Sequence, residues 1–475
     1  MSSHLPHIEN KDGQVELVQP ERLLDSELYN RDLGPVPVRD RRWTAFNFAA
    51  TWIALAHCIP TYMLASALVG VGMSAIGAAA TVLLGNALLV VPLLLNAHAG
   101  ARYGIPFAVQ VRAAYGMRGA HVATLIRALV ACGWFGIQTW IGGHAVHVFL
   151  CVTAPGWAEL AQGEWIAFAA FWVLNVAVAL RDLSWLRHVE NFAAPFVLVM
   201  TCALLLWAFD AVGSWSVLVG SLQRGNSLGD VVPAVTATIG FWATVAVSAA
   251  DISRYAASQR EQIVGQGLAL PWAMGFYASL AAFVTQATVL VYGDALWDPV
   301  RLVAKFRSPV VIGICALTVV LTTLSVNIAA NVVSPARAFA NAWPKRLSFR
   351  VGALVTALAG VCVAPWRLLE EPGRFLFVWL LGTSGPLGAV AGVMIVDYWI
   401  VRRRHLALGA LYDPDGEYAG VRKSALAATA IGCFVAVIGA FVPVLKPLYD
   451  IAFFSGLGAS AIAHWAFANA RPRRG

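Results

Sequence analysis

Roughly twelve runs of about 20 apolar residues follow one another along this chain, each long enough to cross a bilayer as a helix. They fall near residues 45–71, 76–98, 122–151, 163–180, 191–209, 230–250, 267–292, 309–336, 350–365, 374–400, 424–443 and 447–469. Such a chain has few structural options. Backbone amides at membrane depth must be paired within helices or within a closed barrel, and runs of this length select helices. Composition agrees: 12% of the residues are charged and 59% are hydrophobic, against about a quarter charged in soluble domains. The expected fold class is an all-α polytopic membrane protein.

Residues 1–42 are polar and lack an apolar stretch before any cleavage site, so they read as a cytosolic tail and not as a secretory signal. Most of the 33 lysines and arginines fall in this tail or in connections on the same side of the membrane. The expected location of this multi-pass protein is a bacterial inner (plasma) membrane, and that bias predicts both termini cytoplasmic and an even number of spans. Arg301, Lys305 and Arg307 run against it. The bias also accounts for the net charge of +8 without nucleic acid as a partner. The seven cysteines are scattered, with no Cys-x-x-Cys spacing, and read as free buried thiols. No nucleophile with its base, paired carboxylates or metal cluster stands at membrane depth, so neither an enzyme nor a cofactor is expected. Segment 104–118 has mixed polarity and is expected to lie along the membrane surface.

Four apolar segments carry features that contact with lipid does not require. The first contains Pro60, which removes a helix hydrogen bond and obstructs the preceding turn; carbonyls freed at membrane depth must line a cavity or meet a ligand. The sixth gathers small and polar residues around Gly240 in Thr236–Thr244. Interruptions five segments apart are the sequence mark of an inverted-repeat transporter with a site at the midplane. The repeats are expected at 43–210 and 230–401, with two additional helices at 424–470. In the third segment Trp134 and Gln138 stand four apart on one helical face, a flat aromatic surface beside an amide. That pair suits a flat ring with polar edges. The eighth segment holds Thr322, Ser325, Asn327 and Asn331, an oxygen-rich surface suited to a small hard cation such as sodium. His57 and His144 are the titratable groups nearest these features.

Several stretches together resemble the nucleobase–cation symporter family, type one, which includes hydantoin, allantoin, uracil and cytosine permeases. They are Asn30–Pro37, Ile59–Ala65, Tyr103–Phe107, Tyr115–Ala120, Gly133–Trp140, Asn327–Pro335 and Val396–Arg404. The resemblance implies the five-plus-five inverted repeat of the amino-acid transporter LeuT, with the first and sixth helices broken. It implies that Trp134 and Trp242 sandwich the substrate ring while Gln138 and Asn331 bond its edge. Two positions depart from the family pattern: Phe241 replaces a glycine whose backbone meets substrate, and Cys58 replaces a glutamine. For sodium, the resemblance implies carbonyls of Ala54, His57 and Thr322 with the hydroxyl of Ser325. A second hydroxyl position is Val326.

The expected function is therefore import of a flat nitrogen heterocycle coupled to sodium or proton influx, by alternating access and as a monomer. A carrier of amino acids or amines with the same fold is the nearest rival. Two tryptophans with uncharged amides suit a neutral ring better than a zwitterion. A passive channel would need a polar stripe along several helices, whereas the polar groups cluster at one depth.

Overall fold

The computed structural model describes residues 6–30, 32–180, 186–220, 227–342 and 347–470. Its only sheet among the described residues is a hairpin of β1 (His7–Glu9) and β2 (Val15–Leu17). The first apolar segment divides into α1 (Ala45–Ala56) and α2 (Ile59–Gly70), bent by 61°. His57 (φ −86°, ψ 74°) leaves helical geometry and Cys58 is extended (φ −139°, ψ 160°). Pro60 accounts for the break, because its ring nitrogen has no proton for the carbonyl one turn back and its ring is best placed in a first turn.

Next come α3 (Ala75–Tyr103), α4 (Phe107–Tyr115), α5 (Ala120–Thr153), α6 (Gly163–Ala179), α7 (Leu186–Val212) and α8 (Trp215–Gly220). The second half opens with α9 (Leu228–Val247), α10 (Ala250–Ser253), α11 (Gln259–Tyr292), α12 (Pro299–Val303), α13 (Pro309–Asn331) and α14 (Val333–Ala342). It continues through α15 (Phe349–Cys362) and α16 (Pro365–Leu368) to α17 (Leu381–Val396), which is flanked by π-helical turns at Arg374–Leu380 and Asp397–Val401. The chain closes with α18 (Lys423–Ile438), α19 (Lys446–Asp450) and α20 (Ala452–Asn469). All twelve expected segments contain helix. Among the described residues seven helices have the length and apolarity to cross a membrane, or nine with each bent pair counted as one span; α6 and α15 are apolar but shorter.

Two local expectations change. The sixth segment is not interrupted at Gly240: α9 runs through it to Val247, and the helix pauses at Ser248–Ala249 before α10. Gly240 serves packing instead, since a Cβ there would lie 2.1 Å from the Leu380 carbonyl oxygen. Segment 104–118 is not a surface element, because every residue of α4 except Ala108 is buried. Arg112 on α4 donates to the carbonyls of Leu411 (2.8 Å) and Leu28 (3.4 Å), which roof the helix.

Part of that roof is the N-terminal tail, docked as a folded unit. Val15, Leu17 and Leu23 are buried against Tyr103, Leu411 and Tyr412. Gln14 donates to the Ala256 carbonyl (2.9 Å), Arg254 donates to those of Asp32 (2.9 Å) and Gly34 (2.8 Å), and the Tyr412 hydroxyl donates to that of Leu33 (2.7 Å). Arg41 is buried with donors on the Val36 (2.9 Å), Arg102 (3.1 Å) and Val15 (3.0 Å) carbonyls. Burial pushes its guanidinium down to about 10, which leaves it charged at neutral pH. The Asp251 carboxylate accepts from the Phe107 amide (2.8 Å) and so fixes the start of α4.

Candidate substrate and cation sites

The aromatic residues read from the third and sixth segments meet in one cluster. Trp134 on α5 packs edge-on against Phe241 on α9, with ring centroids 5.2 Å apart at 75°. Phe241 in turn packs edge-on against Trp242, at 5.1 Å and 77°. Phe241 is therefore interposed between the two tryptophans expected to face each other. Such perpendicular pairs place the positive ring edge on the negative face of a neighbour.

Other members of this cluster were not anticipated from sequence. Trp379 and Phe375, from the π-helical turn before α17, meet Trp134 at 5.9 Å and 6.3 Å. Trp52 of α1 stands edge-on to Trp242 at 5.4 Å, and the Trp242 indole donates to the sulfur of Met274 at 3.2 Å. The signal for Trp379 was weak, because Phe375, Phe377 and Trp379 sit in an apolar run that reads as plain core. Cys58, at the break, contacts the Thr61 hydroxyl (3.3 Å), and that hydroxyl reaches the same Met274 sulfur at 3.9 Å. The break in the first segment and the aromatic cluster are thus joined through one methionine.

The polar atoms beside this cluster are incompletely paired. Gln138 is buried and its Oε1 has no hydrogen-bond partner; the indole nitrogens of Trp52 and Trp379 are likewise buried and unpaired. A buried polar atom without a partner costs about 1–3 kcal/mol, so each of these is a group that a ligand's donor or acceptor could satisfy. Asn331 differs, since its amide donates to Asn327 Oδ1 at 3.1 Å. Asn327 is the anchor: it donates to Thr139 Oγ1 (3.1 Å), Asn175 Oδ1 (3.1 Å) and the Phe135 carbonyl (3.3 Å), tying α13 to α5 and α6. The same region brings α5 against α15 so closely that a Cβ on Gly136 would stand 2.1 Å from the Gly360 carbonyl oxygen.

The residues expected to hold a cation divide into two groups. At the break, no backbone amide among the described residues closes on the carbonyls of Ala54 or His57. On α13, Ser325 is fully buried and its hydroxyl is unpaired. The Thr322 hydroxyl turns back onto its own helix, at 2.7 Å from the Thr318 carbonyl. No hydrogen bond links Ala54 or His57 to Thr322 or Ser325 among the described residues. Open carbonyls and an orphan hydroxyl are hard, neutral oxygen donors, which fit an alkali cation. Among the described residues, no three or more His, Cys, Asp or Glu side chains are arranged to hold a metal.

Among the described residues, no ring contact or hydrogen bond joins His57 or His144 to Trp134 or Trp242. His57 holds the Ile53 carbonyl through Nδ1 (2.6 Å) and packs its ring on Tyr277. His144 pairs with Glu164 of α6 at 2.8 Å, ten residues along α5 from Trp134, or about 15 Å at 1.5 Å per residue.

The chain is similar to known proteins in sequence and in fold. A family model described as permease for cytosine/purines, uracil, thiamine and allantoin matches residues 35–456. The chain is 37% identical over 450 residues to the allantoin permease of Bacillus subtilis, covering 91% of each protein. It is 35% identical to the purine-uracil permease NCS1 of Arabidopsis thaliana over 472 residues, covering 94% of this chain and 78% of the relative. In three dimensions it is similar to the inward-facing conformation of Mhp1, with a TM-score of 0.77, 25% identity and 94% of each chain covered. A closed conformation of Mhp1, a nucleobase-cation-symport-1 family transporter with bromovinylhydantoin bound, gives a TM-score of 0.73. A Na+-coupled sialic acid symporter shares the fold at a TM-score of 0.60 and 12% identity. The protein has the LeuT-type transporter fold, is an integral multi-pass membrane protein, and belongs to the permease family for cytosine/purines, uracil, thiamine and allantoin.

Proposed function

We propose that the protein is a secondary-active symporter that imports a flat nitrogen heterocycle of the uracil, purine, cytosine, allantoin or hydantoin type. The observation that carries this reading is the unpaired Gln138 Oε1 beside the Trp134–Phe241–Trp242 cluster. Allantoin, uracil and hydantoin rings each present N–H and C=O groups along a flat edge, so one such ring offers an aromatic cage a stacking face and an amide a partner. The names of the relatives, allantoin permease and purine-uracil permease, support the same class. Trp134 and Trp242 supply stacking, Gln138 and Asn331 read the edge, and Phe241 and Cys58 set the room left for substituents. Repeats 43–210 and 230–401 alternate access around this site, residues 424–470 form two appended helices, and the protein works as a monomer in a bacterial inner membrane with both termini inside.

The test is uptake into proteoliposomes of labelled uracil, adenine, allantoin and hydantoin under an imposed sodium or proton gradient. Concentrative uptake of at least one of them under one gradient is expected. If none accumulates under either gradient, the substrate class is wrong.

The coupling ion is sodium or a proton. For sodium, the donors are the Ala54, His57 and Thr322 carbonyls with the Ser325 hydroxyl, and Val326 leaves the set one oxygen short of about five. Val326→Thr is therefore expected to lower the sodium concentration for half-maximal uptake several-fold. Measured sodium titrations that superimpose on wild type would remove this cation site.

A further inference from the structure

At the end of the bundle that carries the N-terminal tail, four segments surround a cavity of about 560 Å³. The β-hairpin, the end of α3, the turn after the Arg374–Val401 span and the start of α18 each contribute walls. Three guanidinium groups line it: Arg102, Arg402 and Arg422. Two are neutralised. Arg102 pairs with Glu9 at 3.0 Å, although its Nε is buried without a partner. Arg402 pairs with Asp397 at 2.6 Å and Glu417 at 3.0 Å, and donates to the Ala113 carbonyl at 2.8 Å. Arg422 has no ion pair among the described residues, only a position over the Tyr418 ring at 5.7 Å. Burial, and then the charge of Arg402, hold its guanidinium below the ordinary range, against the opposing pull of the Asp397 and Glu417 carboxylates, neither of which is close enough for an ion pair. The negative charge of an anion beside Arg422 would offset both effects.

The wall next to Arg402 is shaped for display of cations. Arg403 (φ 48°) and Arg404 (φ 66°) both adopt the left-handed conformation that side chains other than glycine rarely hold. The turn is fastened by the Arg404 amide on the Tyr398 carbonyl (2.7 Å) and the Tyr103 hydroxyl on the Arg404 carbonyl (2.9 Å). Strain of this kind persists where the surroundings enforce it, and it marks places with a role. Here it turns Arg403, Arg404 and His405 out to the surface. Immediately beside the charges, Ile400, Val401 and Val421 are exposed apolar side chains. A soluble anion would leave those side chains unmatched, whereas an acyl chain would cover them.

We infer that this cavity holds the phosphate of an anionic phospholipid, with Arg422 as its main contact and the acyl chains along Ile400, Val401 and Val421. Basic side chains just beyond the end of a membrane span attract anionic headgroups, and a basic pocket between helices makes the attraction specific. The inference needs only that Arg374–Val401 spans the membrane. It stands or falls separately from the identity of the transported ring.

The test uses the full-length protein in neutral detergent, equilibrated with equal amounts of phosphatidylglycerol and phosphatidylcholine, with retained lipids counted by native mass spectrometry. Wild type is expected to retain phosphatidylglycerol in preference. Arg422→Gln should cut that preference about fivefold, the ~1 kcal/mol that one basic residue contributes near an anionic surface, and Arg422→Lys should restore most of it. Glu417→Gln removes an opposing carboxylate and should raise the preference, which keeps the inference open to test if Arg422→Gln does not fold. Equal retention of both lipids by wild type overturns the proposal, as does an unchanged preference in either Arg422→Gln or Glu417→Gln. Loss of the preference in millimolar inorganic phosphate would reassign the cavity to soluble anions and equally overturn it.

Discussion

Replacing Trp134 with alanine is expected to lower heterocycle uptake at least tenfold while leaving an inserted, monodisperse protein. Stacking of a base on an aromatic side chain contributes ~1–3 kcal/mol by alanine substitution, which is roughly 5- to 150-fold in affinity. Trp134 is 7% exposed and touches Phe241, Phe375 and Trp379, so its removal also opens a cavity. That costs about 3–5 kcal/mol of stability, and a lowered melting temperature is expected with the loss of uptake. Trp134→Phe separates the two effects. It leaves a stacking ring, and should recover a larger share of uptake than of stability. Uptake by Trp134→Ala at the wild-type rate would reduce Trp134 to a packing residue.

The second large effect is expected at Phe241, and it concerns selectivity. Its ring occupies the gap between Trp134 and Trp242 and touches both. Phe241→Ala vacates that gap. Alanine is the better choice over glycine, because Gly240 precedes it and a pair of glycines would weaken the helix by about 1 kcal/mol more. The variant should bind hydantoins with bulky ring substituents several-fold more tightly than wild type. It should bind unsubstituted uracil or hydantoin more weakly, since a small ring no longer fills the cage. Competition against one labelled substrate by a graded series of substituents measures both changes. An unaltered order of affinities would show that Phe241 stands outside the space used by substrate.

How far the structure was legible in the sequence depends on how local each cause is. The apolar segments and the break at His57–Cys58 were legible, because hydropathy and the missing proton of Pro60 act within one turn of helix. Gly240 was misplaced as a break because the reason for a glycine there is the Leu380 carbonyl, some 140 residues away. The burial of α4 was hidden for the same reason, since its mixed polarity describes a helix roofed by polar tail and loop as well as one lying on a membrane. Within the site, Trp134 and Gln138 could be paired by helical spacing alone. That Phe241 stands between the tryptophans, and that Trp379 and Phe375 reach Trp134 from a π-helical turn, follows from tertiary packing that no local pattern encodes.

The docked tail has a consequence for the order in which the molecule is completed. The contacts of Ser26 with the Tyr412 carbonyl and of Tyr412 with the Leu33 carbonyl join residues 386 and 379 positions apart. The ribosome releases the tail first, yet the surface that receives it does not exist until the chain beyond Tyr412 has emerged. Val15, Leu17 and Leu23 therefore wait outside their core through most of synthesis. Closure over so long a separation comes late. The segment made first is among the last to settle, and its docking reports that the helices between have been inserted.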